Sequence, residues 1–382
     1  LSFSAWRRIN RTCPLRGVPS MSRAEAVQRL IRDDVRAGTA YQVADASGMI
    51  KLDAMENPYG WPDALHAELA TRLAAVAMNR YPDPQAKDTR AAIRDWMGIP
   101  DSLELLLGNG SDEIIALLIT NFIGTGRSVA APDPSFVMFR VLANQYQVPF
   151  VPLPLDADRQ IDLAHWLDLL AQTNPGIIFI PQPNNPTGNL FRESDLRALI
   201  ESTDALVIID EAYTAFSDRD HLEYATRYPN VLIMRTLSKV GLAGLRLGLL
   251  IGAPSWINEF DKLRLPYNIN VMTQAAVQCA MDHTDVLESQ SAEIRSERVR
   301  LTALLSERGF TVWPSQANFV IAIVPNGEAS ALFQALKRQG VLVKCLDGAH
   351  ALLAGALRIT VGAPHETDAL IAALDHSPVF GR

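Results

Sequence analysis

The sequence predicts an α/β protein, with a large domain built on a mostly parallel sheet and a smaller α/β domain at its C-terminal end. From about Leu103 onward, short apolar runs alternate with helical stretches, which is the pattern of βα units around a parallel sheet. Beyond Pro266 the pattern changes to one long helix followed by shorter strands. With 382 residues, of which 48% are apolar, the chain is long enough to bury a large core.

The large sheet is predicted from short apolar runs that are rich in valine, isoleucine and leucine. These runs are Leu103–Leu107, Ser128–Ala131, Gly176–Ile180, Ala205–Ile209, Val231–Arg235 and Leu247–Ile251. In open α/β sheets, ligands bind beyond the carboxyl ends of the strands, where each strand gives way to a loop. We therefore expect the chemically active residues to follow these runs directly.

The N-terminal part of the chain is predicted to begin its fold with a helix over Ser22–Gly38. Ser22 and Glu25 have the spacing of a capping box at the start of this helix. The first twenty residues contain arginines but no acidic residue, and they begin with leucine. They are either a transit-like tail or an extension upstream of a natural start at Met21. In both cases we expect residues 1–20 to be disordered and to lie outside the fold.

The remaining elements define the predicted domains. Leu52–Gly60 is predicted to be an extended arm that Pro58 stiffens. The C-terminal elements are predicted to be helix Asp285–Arg308, strands Phe310–Trp313 and Asn318–Val324, helix Glu328–Gln339, strands Val341–Lys344 and Leu357–Val361, and a last helix from Pro364. We expect the chain to divide into the extension 1–20, an N-terminal helix and arm over 21–57, a large domain over 58–270 and a small domain over 271–382.

Charge and composition exclude several classes of partner. The net charge of −7 and the pI near 5.6 leave no basic surplus that would bind nucleic acid or an anionic membrane. Cys13, Cys279 and Cys345 are widely spaced, so we expect no disulfide framework, no metal site and a reducing, cytoplasmic location. No apolar run approaches the roughly 20 residues that would cross a bilayer. A soluble protein that acts on small molecules is the resulting expectation.

The segment Thr236–Gly248 places hydroxyl groups, a lysine, glycines and an arginine in one turn after an apolar strand. Lys239 is unusual as a packing residue, and its amine could condense with an aldehyde if burial beside other cations lowered its pKa. Thr236, Ser238 and Arg246 could hold a phosphate, since glycines permit close backbone approach and arginine binds bidentately. A basic surface loop between two strands is the alternative.

The strand Ala205–Ile209 is followed directly by Asp210 and then by Tyr213. A carboxylate there could keep the nitrogen of a pyridine cofactor protonated, and a phenol could bind the ring hydroxyl. Asn185, in the turn Pro183–Gly188, could donate an amide hydrogen to the same oxygen. The alternatives are that Asp210 caps the following helix and that Asn185 is an ordinary turn residue.

A glycine-rich loop lies at Gly108–Glu113, between a predicted strand and a helix. The backbone N–H groups of Gly110, Ser111 and Asp112 would form a phosphate cradle at the start of that helix. Such a loop is a weak signal by itself, because Ser111 is also a good N-cap residue.

These motifs, in this order, resemble the fold-type I pyridoxal-phosphate (PLP) enzymes, in particular their aspartate-aminotransferase-like branch. The resemblance implies a large αβα domain with a mostly parallel seven-stranded sheet, and Lys239 as the residue that holds the cofactor as a Schiff base. It implies that Asp210 is the partner of the pyridine nitrogen, while Tyr213 and Asn185 bind the phenolic oxygen. Phe136 matches the aromatic residue that stacks on the ring. The other cofactor-binding residues that it implies are Gly110, Ser111, Asp112, Thr236, Ser238 and Arg246.

Residues 21–374 are similar to the histidinol-phosphate aminotransferase subfamily. Within this range, the segment Gln316–Val320 resembles the corresponding segment of the subfamily. Arg358 matches the residue that binds an anionic group of the substrate, and Lys344 stands where the subfamily has a second cation, often arginine, for the substrate phosphate. Tyr59 matches a residue that approaches the substrate. Tyr81 matches one that reaches the cofactor phosphate of the neighbouring subunit. The alternatives are that the tyrosines are packing residues and that Lys344 is a solvated strand end.

The resemblance implies a homodimer that transfers the amino group of histidinol phosphate to 2-oxoglutarate in histidine biosynthesis. The products are imidazole acetol phosphate and glutamate. Two other activities on the same fold stay open, those of an aromatic amino-acid aminotransferase and of a threonine-phosphate decarboxylase. A PLP-sensing half of a transcription regulator would need an appended DNA-binding domain, and we do not expect one, because the segments outside the two predicted domains are short.

Overall fold

The computed structural model describes residues 21–40 and 44–378, and the chain divides into two compact units. The first unit lies within residues 1–45 and contains the helices Arg23–Leu30 and Asp33–Ala37. The predicted capping box is confirmed, because Oγ of Ser22 accepts from the Glu25 N–H at 3.2 Å and Oε2 of Glu25 accepts from the Ser22 N–H at 2.7 Å. The predicted extension 1–20 lies outside the described residues.

The prediction of one helix over Ser22–Gly38 is wrong, because the chain leaves the helix after Leu30. Ile31 is extended, with ψ of 133°, and the Arg32 side chain donates to the carboxylate of Asp34 at 2.8 Å. Neither of the two short helices buries a side chain. Short helices depend on packing for most of their stability, so two helices that bury no side chain gain little from joining into one.

The second unit, residues 46–382, is organised around three sheets. In the described residues the strands are, in chain order, β1 (Ile50–Lys51), β2 (Glu104–Asn109), β3 (Ser128–Asp133), β4 (Phe150–Pro154), β5 (Pro175–Pro181), β6 (Leu206–Asp210), β7 (Val231–Thr236), β8 (Leu247–Gly252), β9 (Thr311–Val312), β10 (Phe319–Ile323), β11 (Val341–Leu342), β12 (Lys344–Cys345) and β13 (Ala356–Thr360). The large sheet has seven strands in the order β2-β8-β7-β6-β5-β3-β4. Only β8 runs antiparallel to its neighbours, so the predicted mostly parallel sheet is confirmed.

Helices cover both faces of the large sheet, which gives three layers. Successive residues of a strand point to opposite faces, so Leu105 and Leu107 of β2 pack in one apolar cluster and Leu106 packs in the other. The longer helices of this unit are Asp63–Ala74, Lys87–Met97, Gly110–Thr120, Val137–Gln145, Leu163–Thr173, Glu193–Glu201, Leu222–Arg227, Pro254–Asp261, Val271–Met281, Thr284–Glu307, Ala329–Arg338 and Pro364–Asp375.

Strand β4 is the member of the large sheet that the sequence does not predict. Pro152 and Pro154 lack an N–H group and therefore weigh against a strand in a sequence pattern. The strand nevertheless forms, because it lies at the edge of the sheet and pairs with β3 alone. An edge strand has a partner on one side only, so a proline whose missing N–H faces the open side removes no hydrogen bond between strands.

The C-terminal part forms a four-stranded antiparallel sheet, β12-β13-β10-β9, beside a two-stranded parallel pair of β1 and β11. The prediction of one strand over Val341–Lys344 is wrong, since Val341–Leu342 pairs with β1 and Lys344–Cys345 pairs with β13. The chain changes sheets at Val343, which is buried. An apolar pattern indicates burial but not which sheet supplies the partner strand.

The position of the domain boundary stays a prediction. The helix Val271–Met281 packs against the helices Asp63–Ala74 and Lys87–Met97, which belong to the predicted large domain. Residues 46–382 cluster as one compact unit. Within the described part of the chain, no helix combines the length and the apolar character that crossing a bilayer requires.

Candidate active site

A cavity of about 130 Å³ lies at the carboxyl ends of three parallel strands. Strand β5 ends at Pro181, β6 at Asp210 and β7 at Thr236, and all three residues line the cavity. The predicted site residues that line it are Ser111, Asp112, Phe136, Asn185, Asp210, Tyr213, Thr236, Ser238, Lys239 and Arg246. The sheet thus brings together motifs that are far apart in the sequence, at the edge where ligands bind in α/β folds.

Asp210 is a buried carboxylate on the wall of this cavity. It is 6% exposed, and its Oδ1 accepts a hydrogen bond from the Ala212 N–H at 3.0 Å. Burial, together with the nearby Glu211 and Asp112 carboxylates, raises the pKa of Asp210 to about 7. A cation placed against it, such as a protonated pyridine nitrogen, would stabilise its charged form.

Lys239 reaches the cavity from the turn that follows β7. Gly241 in this turn has a φ of +112°, which glycine adopts without strain. Burial, together with the Arg358 and Arg246 guanidinium groups, lowers the pKa of Lys239 to about 8. Its Nζ donates to the Ala54 carbonyl at 3.4 Å. The amine is therefore unprotonated at neutral pH far more often than that of an exposed lysine, which makes it a better nucleophile.

Ser111, Thr236, Ser238 and Arg246 supply hydroxyls and a guanidinium to the lining of the cavity, and Gly110 lies against Arg246 at the start of the helix that follows β2. A Cβ atom on Gly110 would lie 2.6 Å from Nη2 of Arg246, so a larger residue would displace the guanidinium. The same Nη2 lies 3.6 Å from the carboxylate of Asp112. The Ser238 N–H donates to the Thr236 hydroxyl at 3.1 Å. Helix N–H groups, hydroxyls and a guanidinium are the groups that bind phosphate in proteins.

A chain of hydrogen bonds joins three of the predicted residues. Nη1 of Arg358 donates to Oδ1 of Asn185 at 2.7 Å, and Nδ2 of Asn185 donates to the Tyr213 hydroxyl at 3.1 Å. Burial raises the pKa of Tyr213 well above its ordinary value, so the phenol keeps its proton. Arg358 therefore contacts the site through Asn185, and it fixes which way the Asn185 amide points.

Five predicted residues lie outside the lining of the cavity: Tyr59, Tyr81, Gly110, Lys344 and Arg358. Lys344 is exposed, but it lies opposite Arg358 in the pairing of β12 with β13, so the two side chains share one face of the sheet. Burial, with the Glu293 carboxylate close by, raises the pKa of Tyr59 to about 12. Tyr81 is 81% exposed, and its ring stacks on that of Tyr267 with centroids 4.6 Å apart.

Met55 lines the cavity although the sequence does not single it out. It is buried, and its Sδ accepts a hydrogen bond from the Tyr213 hydroxyl at 3.6 Å. Pro181, Pro183 and Ala212 complete the lining. Met55 directly precedes the segment Glu56–Gly60, which contains the predicted site residue Tyr59. This position is the signal from which Met55 could have been identified as a site residue.

The residues of the cavity fit PLP. Asp210 offers a buried carboxylate for the pyridine nitrogen, Lys239 offers an amine for the aldehyde, and the hydroxyls with the Arg246 guanidinium offer donors for the phosphate. Phe136 supplies an aromatic wall, and it packs edge-on against Phe139 with ring centroids 5.6 Å apart. Gly110 lies directly against the Arg246 guanidinium, so this position has no room for a side chain.

Comparison with known proteins agrees with this fit. The family described as aminotransferase class I and II matches residues 47–376. A histidinol-phosphate aminotransferase 1 of Burkholderia lata is 48% identical over 349 residues, which are 91% of this chain and 97% of that protein. A histidinol-phosphate aminotransferase 2 of Nitrosococcus oceani is 44% identical over 351 residues, which are 92% of this chain and 98% of that protein.

Solved structures agree on the fold. The crystal structure of histidinol-phosphate aminotransferase from Sinorhizobium meliloti, in complex with pyridoxal-5'-phosphate, superposes with a TM-score of 0.82 at 23% identity and covers 92% of this chain and 97% of that one. This likeness shows the fold of the PLP-dependent fold-type I enzymes, and the family match shows the activity class. The chain therefore belongs to the class I and II aminotransferases, in their histidinol-phosphate aminotransferase branch, and is a PLP-dependent enzyme.

Proposed function

We propose that this enzyme transfers the amino group of histidinol phosphate to 2-oxoglutarate, which yields imidazole acetol phosphate and glutamate in cytoplasmic histidine biosynthesis. The observation that carries the proposal is the 48% identity, over 91% of the chain, to a protein named for this activity. The cavity supports it, because the amine, the carboxylate and the phosphate-binding groups that an aminotransferase needs line the same space.

Lys239 is proposed to hold the cofactor covalently and, once the substrate amine has displaced it, to move the proton of the reacting carbon. A pKa of about 8 suits this role, because a base must be partly unprotonated near neutral pH. Asp210 is proposed to keep the pyridine nitrogen protonated, since a cation there would offset the cost of its own buried charge. When bound, PLP supplies the electron-withdrawing ring that stabilises negative charge on the substrate.

Asn185 and Tyr213 are proposed to donate hydrogen bonds to the phenolic oxygen of the cofactor. The Tyr213 hydroxyl keeps its proton because burial raises its pKa, and the Asn185 amide is already oriented by Arg358. Phe136 is proposed to stack on the ring. The residues proposed to surround the cofactor phosphate are Gly110, Ser111, Asp112, Thr236, Ser238 and Arg246.

Arg358 and Lys344 are proposed to bind the anionic groups of the substrate. They are direct partners in the pairing of β12 with β13, so two positive charges stand on one face of the small sheet. Lys344 supplies charge without the bidentate geometry of an arginine. Tyr59 is proposed to donate a hydrogen bond to the substrate, because its raised pKa of about 12 keeps the hydroxyl protonated.

The proposal includes a homodimer in which Tyr81 reaches the cofactor phosphate of the neighbouring subunit. Tyr81 is exposed and does not line the cavity of its own chain. Met78, Leu263, Leu265 and Tyr267 are further exposed apolar residues, and Tyr267 stacks on Tyr81. A second copy of the chain would remove these side chains from water. Light scattering on the purified protein should give twice the chain mass, and a monomer would exclude this part of the proposal.

The substrate is tested with the purified holoenzyme and 2-oxoglutarate, by measuring glutamate formed from histidinol phosphate, phenylalanine and tyrosine. We expect kcat/KM for histidinol phosphate to exceed the other two by at least ~100-fold, because cationic side chains built to bind a phosphate are left unpaired without one. Equal or higher values for the aromatic amino acids would instead assign an aromatic aminotransferase. Release of carbon dioxide from phosphothreonine would assign a decarboxylase.

A further inference from the structure

Met55 has a backbone conformation that its side chain disfavours. Its φ is +54°, in the left-handed region that residues other than glycine, asparagine and aspartate rarely adopt. The residue is 8% exposed and lines the candidate active site. Strained backbone of this kind persists where the surrounding contacts fix it, and it occurs most often at functional sites.

Two buried polar side chains hold the backbone of Met55. Its N–H donates to Oγ1 of Thr360 at 3.0 Å, and its carbonyl accepts from Nδ2 of Asn318 at 2.9 Å. Thr360 is 4% exposed and Asn318 is 0% exposed. Asn318 lies in the segment Gln316–Val320, for which the proposed chemistry gives no role. Both hydrogen-bonding groups of Met55 are therefore fixed by residues of the small sheet and its approach loop.

The turn that these bonds fix contacts two of the proposed catalytic residues. The Ala54 carbonyl accepts from Nζ of Lys239 at 3.4 Å. The Met55 sulfur accepts from the Tyr213 hydroxyl at 3.6 Å. If Met55 relaxed to a negative φ, the peptide group before it would rotate relative to its side chain. The carbonyl and the sulfur could then no longer both keep their present contacts.

We propose that Asn318 and Thr360 are positioning residues that hold Met55 in its left-handed conformation. Through Met55 they keep two polar groups, the Ala54 carbonyl and the Met55 sulfur, beside the amine and the phenol of the site. These groups stay next to Lys239 and Tyr213 when the cofactor takes over the hydrogen bonds of both side chains, and they then set the polarity around the bound cofactor. The proposal rests on the catalytic roles proposed above for that amine and that phenol. A role in packing alone is a poorer explanation, because apolar side chains would fill these positions without the cost of burying an amide and a hydroxyl.

The test compares holoenzyme variants by the pH at which the visible absorption of the bound cofactor changes, with kcat and KM measured alongside. Thr360→Val removes the acceptor and keeps the side-chain size, whereas Thr360→Ser keeps the acceptor. We expect Thr360→Val and Asn318→Ala to move the absorption midpoint by about half a pH unit or more and to lower kcat about tenfold, with KM changed less. Thr360→Ser should retain the wild-type midpoint. An unmoved midpoint in both Thr360→Val and Asn318→Ala would overturn the proposal.

Met55→Gly provides a second test, because glycine adopts a positive φ without being held. Asn318→Ala is then introduced into both the wild type and Met55→Gly, and the shift of the absorption midpoint is measured in each. We expect the shift in Met55→Gly to be less than half of the shift in the wild type. Equal shifts in the two backgrounds would overturn the proposal, since Asn318 would then act independently of the Met55 conformation.

Asn230→Ala is the matched control. Nδ2 of Asn230 also donates to backbone carbonyls, those of Thr203 at 3.2 Å and Ala205 at 3.1 Å, but at the amino end of β6, away from the cavity. We expect Asn230→Ala to lower the melting temperature and to leave the pH midpoint of the cofactor absorption unchanged. A midpoint that moves equally in Asn230→Ala would reveal a general effect of lost stability and overturn the proposal. The readout is the bound cofactor, so a wrong substrate assignment is detected separately, in the substrate assay.

Discussion

Replacement of Asp210 by asparagine should stabilise the apoenzyme while it weakens cofactor binding. The carboxylate is 6% exposed, and burial raises its pKa from an ordinary 3.8 to about 7. Above pH 7 the apoenzyme therefore contains a buried negative charge that burial disfavours. Asparagine has no charge, and its Oδ1 can still accept the hydrogen bond that the Ala212 N–H donates to Asp210 at 3.0 Å.

The magnitude follows from the pKa of Asp210 in the folded and the unfolded chain. The difference between 3.8 and about 7 corresponds to about 4 kcal/mol. Because the folded-state pKa is the higher one, the contribution of Asp210 to stability is fully present below about pH 4 and is lost as the pH rises to and through 7. The unfolding free energy of Asp210→Asn should thus exceed that of the wild type by about 4 kcal/mol at pH 8 and by little at pH 4.

Urea unfolding of both apoproteins at pH 4.5 and pH 8 measures this difference directly. Addition of PLP should reverse the order at pH 8, because the protonated ring nitrogen stabilises the aspartate and not the asparagine. If the unfolding free energy of both apoproteins fell by the same amount between pH 4.5 and pH 8, the prediction that Asp210 is a destabilising buried charge would be refuted. Equal stabilisation of both proteins by PLP would refute the pairing of Asp210 with the ring nitrogen.

Variants at three further residues test the other proposed roles. Lys239→Ala should abolish turnover and the visible absorption of the bound cofactor while circular dichroism shows an intact fold, and persistent transamination would refute its role. Arg358→Ala should raise KM for anionic substrates about 10- to 100-fold and lower kcat less, and steady-state kinetics with an unchanged KM would remove it from the site. Lys344→Ala should raise KM for histidinol phosphate but not for phenylalanine, and Lys344→Arg should restore binding, whereas equal effects on both substrates would exclude contact with the phosphate.

Much of the fold and of the candidate site could be predicted because buried parallel strands form continuous apolar runs in the sequence. The carboxyl ends of β6 and β7 were located in this way, and Asp210 and Lys239 follow from those ends. Their meeting in one cavity is then a property of parallel strands, which end at the same edge of the sheet.

The features that could not be predicted depend on contacts between distant residues. Met55 has no local preference for a positive φ, and the residues that fix it lie 263 and 305 positions away in the chain. The change of sheets at Val343 and the edge position of β4 likewise depend on which strand becomes the neighbour. Periodicity records burial along the chain, but it does not identify the partner across space.

The covalent bond between Lys239 and the cofactor is tested most directly by reduction with borohydride, followed by intact-mass measurement and peptide mapping. We expect one reduced cofactor per chain, attached to the peptide that contains Lys239, and no adduct in Lys239→Ala. An adduct on another lysine, or a wild-type chain that gains no mass, would contradict the assignment of this cavity as the catalytic site.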